Sequence, residues 1–183
     1  MSEIDGLLKA YERYVKVPWE KSLSGPEKVW FAVYDPAAER KLRFRLKEFE
    51  IASTAAGHNW QLCDLTNTFA EWMGAHDYRD AYFQDPADLT MALTEFTEHA
   101  ALKILDALSV SGQDENSIVA VIGIASLFGL TRASSVIEQV TPNIKGRLLV
   151  FFPGRYEGSN YRLLDARDGW NYRAVPISAD SWK

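Results

Sequence analysis

The sequence predicts an α/β fold with three layers: a mainly parallel sheet, helices on both of its faces, and a C-terminal antiparallel β-hairpin. Three observations carry this reading. VWFAVY (29–34), SIVAVIGIA (117–125) and RLLVFFPG (147–154) lack the polar alternation of a strand with one wet face, so each predicts a strand covered on both sides. Segments of helical period separate them. The last third changes character: NYRLLD (160–165) and NYRAVPI (171–177) flank ARDG (166–169), which reads as the turn of a hairpin.

The elements follow in order. Leu7, Leu8, Tyr11, Tyr14 and Val15 share one helical face between Ile4 and Val15, and Pro18 ends that helix. Gly25-Pro26 marks a loop before the first strand. Asp35 is placed to cap the next helix, with Pro36 at its first position and Gly57 closing it. A short strand over 60–64 leads to a helix carrying Phe69, Trp72 and Met73. Residues 76–87 read as a polar, aromatic connection, 88–108 as a long helix, and 133–140 as a short helix stopped by Pro142.

A chain of 183 residues suits a single domain spanning 1–183. Its net charge of −5 argues against direct nucleic-acid binding unless one face is locally basic. The one cysteine, Cys63, leaves no partner for an internal disulfide. The opening MSEIDGLLKAYERY carries acids where a signal peptide needs bases, and no apolar run approaches membrane-spanning length. The expected location is cytoplasmic, with no membrane association.

The search for chemistry predicts a protein that is not an enzyme. GIASLFG (123–129) has two glycines after a buried strand but no phosphate-binding lysine, and reads as a tight strand-to-helix connection. His58, His76 and His99 are scattered; Glu95 and His99 share a helical face, a spacing that is common on solvated helices. No GxSxG elbow is present. No cofactor and no metal are expected, and whether a small molecule binds is left open.

Three surfaces remain as candidates. Asp35, Asp64 and Ser126 fall at the carboxyl ends of predicted strands, where open α/β sheets bind ligands, although both aspartates also suit capping. In ERKLRFRLKEFE (39–50), Arg40, Arg43 and Lys47 form one stripe and Lys41 and Arg45 another. The interleaved glutamates favour a solvated face over a nucleic-acid helix. The C-terminal region gathers Arg155, Tyr156, Tyr161, Arg162, Arg167, Trp170, Tyr172 and Arg173, residue types that dominate interface hot spots. Arg155, Tyr156, Arg162, Arg167, Trp170 and Arg173 are the predicted partner-binding residues, against an internal Arg–Asp network through Asp165 and Asp168.

ERYVKVPWEK (12–21), VWFAVYDP (29–36), ASLFG (125–129) and RLLVFFPGRYEGSNYRLLDARDGWNYRAVPI (147–177) together resemble the BrxB family of bacteriophage exclusion (BREX) defence systems. The resemblance implies a bacterial cytoplasmic protein acting with other BREX components: an adenine methyltransferase, a large ATPase and PglZ, a phosphatase-superfamily protein. It supplies no catalytic motif to carry over. The function expected is that of a non-enzymatic adaptor, with PglZ as the first partner to consider; a degenerate nucleotide-binding domain and a nucleic-acid-binding subunit are the alternatives.

Overall fold

A computed structural model describes residues 2–110, 112–164, 166–170 (backbone only) and 173–181. Helix α1 (Glu3–Lys16) starts at a capping box. Asp5 N–H donates to the Ser2 hydroxyl, and the Asp5 carboxylate accepts from Ser2 N–H at 2.7 Å. Strand β1 (Val29–Tyr34) is buried at all six positions. Asp35 then accepts from Ala37 N–H at 2.8 Å, and Pro36–Ala38 forms a 3₁₀ turn leading into α2 (Glu39–Ala55). The chain continues through β2 (Asn59–Asp64), α3 (Thr68–Ala75), α4 (Arg79–Gln84), α5 (Leu89–Ser109), β3 (Ser117–Ile122), α6 (Ala133–Val140) and β4 (Arg147–Glu157). Three short strands follow: β5 (Asn160–Leu163), β6 (Ala166–Trp170) and β7 (Val175–Ile177).

The sheet has the order β2-β3-β4-β1-β7, and every pair along it is parallel. Because side chains alternate, β1 feeds two cores. Val29, Phe31 and Val33 face α5 and α6 with Phe96, Ile104, Val136 and Ile137. Trp30, Ala32 and Tyr34 face α1 and α2 with Leu7, Tyr11, Leu42 and Phe49. That double burial is why these strands are continuously apolar, and each large apolar side chain buried this way contributes about 1.5–3 kcal/mol. The predicted α/β class, parallel sheet and flanking helices are therefore present.

Three boundaries differ from the sequence reading. The apolar run after Ser117 leaves the sheet at Ile122, because Gly123 takes φ +76° and Ile124–Leu127 winds into a 3₁₀ turn. The connection over 76–87 contains α4, a helix too short to show a period.

The predicted hairpin turn ARDG is not a turn. Strand β4 runs past the parallel sheet to Glu157, and Gly158 and Ser159 (φ +55° and +68°) form the two-residue turn into β5. Residues 166–170 are then drawn out as β6 by antiparallel pairing with β5. The segment carrying VPI supplies β7, parallel to β1 at the sheet edge. Among the described residues, no helix is long and apolar enough to cross a membrane.

Candidate interaction site

The carboxyl-end rim is built from the residues the sequence proposed, but each is engaged within the fold. Asp35 caps the Pro36 turn, and its own N–H donates to Glu3 at 2.9 Å. Asp64 accepts from Thr66 N–H at 2.9 Å and from the Thr66 hydroxyl, and Arg43 approaches it at 3.5 Å. Ser126 donates to the Leu65 carbonyl at 2.8 Å, pinning the turn after β3 to the end of β2. The rim is thus a capping and turn network, in agreement with the capping reading of Asp35 and Asp64.

The basic helix is partly neutralised, by its own glutamates and by Asp5 of α1. Arg43 pairs with Glu39 at 2.6 Å, Arg45 with Asp5 and Glu48, and Lys47 with Glu50 at 2.7 Å. Glu39 also accepts the Tyr34 hydroxyl, whose acidity is suppressed by burial and by that carboxylate. Arg40 and Lys41 are exposed and have no partner among the described residues. Cys63 is buried, donates weakly to the Lys103 carbonyl at 3.7 Å, and has its thiol pKa pushed up to about 11 by burial. That is an inert thiol.

The C-terminal arginines are arranged by strand register. Arg155 on β4 lies directly opposite Arg162 on β5, and Arg162 lies opposite Arg167 on β6. Gly154, Tyr156 and Leu163 belong to the other face, where Tyr156 packs on the buried Tyr161 at 4.6 Å between ring centroids. Arg155 is exposed and Arg162 half-buried, and neither has a hydrogen bond or ion pair to any described residue. The side chains of Arg167, Asp168 and Trp170, and all of Asp165 and Tyr172, lie outside the described residues.

Arg173 does not join this row. It precedes β7 at the opposite end of the sheet, where its charge holds the Glu27 carboxyl below its ordinary range, after the larger effect of the Ser24 bonds. The predicted partner-binding set is therefore split between the two ends of the sheet.

A second surface was not proposed from the sequence. A cavity of about 550 Å³ between α3, α4 and α5 is lined by Trp72, His76, Tyr82, Met91 and His99, with Glu71, Asp77 and Glu95 around it. Tyr78, Phe83 and Met91 are exposed nearby. His76 accepts from Tyr78 N–H at 3.1 Å and lies 3.8 Å from Glu95, so Glu95 faces His76 as well as sharing a helical face with His99. Among the described residues, no three His, Cys, Asp or Glu side chains are placed to hold a metal ion.

Residues 71–99 contain seven carboxylates against Arg79 alone, more than the whole chain's net charge of −5. That local imbalance was the available signal.

Comparison with protein families shows a match: the family described as BREX protein BrxB aligns with residues 75–177, more than half of the chain. The aligned region includes the arginine row, α4, α5 and most of the sheet. No curated protein and no solved structure matches the chain.

Proposed function

This chain belongs to the BrxB family and is a BREX defence-system component; from that premise we propose that it is a non-enzymatic adaptor that holds other components of the system through protein–protein contacts. The observation that carries the proposal is the register of Arg155 opposite Arg162, with neither guanidinium paired to any described residue. Like charges directly opposite on adjacent strands cost up to about 1 kcal/mol. An acidic surface on a partner converts that cost into attraction, and arginine also supplies directional bonds at an interface centre.

The acidic, aromatic surface over α3–α5 offers a second face of opposite sign, as a protein joining two others requires. PglZ is the partner we propose for the arginine row on the family resemblance alone; the row itself asks only for an acidic patch on its partner.

The test is co-purification from cells expressing the complete defence system. Arg155→Gln with Arg162→Gln removes the repulsion and keeps the strands, so the double variant should fold with a thermal transition no lower than the parent's. Its retention of PglZ should fall by at least about thirtyfold, as expected for loss of anchors contributing about 2 kcal/mol. Retention at the parental level by the folded variant would sink the reading.

A further inference from the structure

Arg147, the first residue of β4, is only 4 % exposed, yet no carboxylate among the described residues pairs with it. Its guanidinium donates to the carbonyls of Gly146 at 3.0 Å and Glu20 at 3.1 Å, while its Nε has no partner. The group lies 4.8 Å from the ring centroid of Trp19 and 5.7 Å from that of Trp30. The indole N–H of Trp19 is also buried without a partner among the described residues. Removing a cation from water without a counter-ion is costly, and burial here weakens the hold of Arg147 on its proton. A buried, unpaired guanidinium marks a place where negative charge belongs.

The surroundings have the same sign. Arg147 forms part of the wall of a cavity of about 230 Å³, together with Trp19, His58, Lys16, Lys28 and Lys145. Among the described residues, the ammonium groups of Lys28 and Lys145 reach only the carbonyls of Ile144 and Gln113. Lys21 and Glu115 neutralise each other at 3.1 Å, which leaves Glu20 as the acid facing four cations. That surplus, within a chain of net charge −5, suits a dianion better than a single carboxylate.

A second recess of about 320 Å³, lined by Tyr14, Leu23, Trp30 and Val175, shares Trp19 and Arg147 with the first. An anionic ligand carrying an apolar or planar group therefore has a surface for each part.

We propose that this cavity, at the amino ends of the strands, is a binding site for the phosphate group of a small phosphate or phosphomonoester. It lies at the opposite end of the sheet from the crevice where open α/β folds usually hold ligands. The site is independent of the adaptor reading and of the arginine row.

The experiment is thermal unfolding and calorimetric titration of the full chain with inorganic phosphate and, separately, with adenosine monophosphate, each against sodium chloride of equal ionic strength. Ligand that binds only the folded state raises the transition in a saturable way. Saturable stabilisation by either compound beyond the salt control is the expected result, and the tighter of the two tells a free phosphate from an organic phosphomonoester. Arg147→Met should weaken binding by at least about tenfold, as loss of hydrogen bonds to a charged group does.

Should Arg147→Met fail to fold, Lys28→Ala with Lys145→Ala removes two rim cations and keeps the buried group. That variant should bind several-fold more weakly. Stabilisation equal to that of sodium chloride, or parental affinity in the folded variants, overturns the proposal.

Discussion

The indole of Trp19 lies flat on the imidazole of His58, with ring centroids 3.7 Å apart and planes 1° from parallel. One ring comes from the loop after α1 and the other from the connection before β2, so the stack closes the amino end of the sheet over Trp30. His58 is itself held: its ring nitrogens lie 3.0 Å from the Val15 carbonyl and 3.2 Å from the Asn116 carbonyl. Whichever nitrogen carries the proton donates to one of them.

His58→Ala removes the stack and that bond together, and should destabilise the fold by about 2 kcal/mol. His58→Phe keeps an aromatic face and should recover about half of the loss. Urea unfolding reads both through the midpoint, with the slope unchanged. Equal midpoints for parent and His58→Ala would show that the stack does not hold the loop.

The two glycines of the 123–129 loop should behave differently. Both take positive φ, +76° at Gly123 and +78° at Gly129. A methyl group at Gly123 would meet the Thr66 hydroxyl at 2.6 Å, the Thr66 amide nitrogen at 2.7 Å and Asp64 at 3.0 Å; at Gly129 it meets nothing within 4 Å. Gly129→Ala therefore costs only the left-handed strain of about 1–2 kcal/mol, whereas Gly123→Ala adds a clash with backbone and should lose about 3 kcal/mol or more. Similar midpoints for the two variants would contradict the close approach of the β2 and β3 ends.

Stability should fall in alkali. Burial raises the hydroxyl pKa values of Tyr11, Tyr34 and Tyr161 well above the ordinary tyrosine value, with Glu39 adding to the shift at Tyr34. The folded state then keeps these protons where the unfolded chain has lost them, so unfolding is favoured as pH rises through about 10. Each tyrosine contributes a slope of about 1.4 kcal/mol per pH unit in that window, and Cys63 begins its own loss near pH 9. Urea midpoints at pH 8 and 10.5, with tyrosinate absorbance followed at both, provide the check. A midpoint that does not move would refute the burial of these hydroxyls as acids.

Much of the fold was legible because the physics is local. Val29–Tyr34 reads as a buried strand from composition alone, and Asp35-Pro36 and Gly57 bound the next helical segment through capping and positive φ. The hairpin was misplaced because Asp168-Gly169 has turn chemistry, while the real turn at Gly158-Ser159 has it too, and only pairing with β4 decides between them. The rim residues were found, and each is engaged in a cap or a turn. Arg147 had no signal in the sequence: its meaning comes from Trp19 and Trp30, brought beside it by packing across more than a hundred residues of chain.

The centre of the sheet has a kinetic consequence. Strands β1 and β4 pair from Val29 opposite Leu148 to Tyr34 opposite Pro153, and β1's other neighbour, β7, lies still further along the chain. No local segment can satisfy β1, so its amides and carbonyls wait while everything through α6 is put in place. High sequence separation between pairing partners slows folding. During that wait, α1 and α2 can cover one face of β1, but both of its edges stay bare, a six-residue apolar template for mispairing with another copy of the chain.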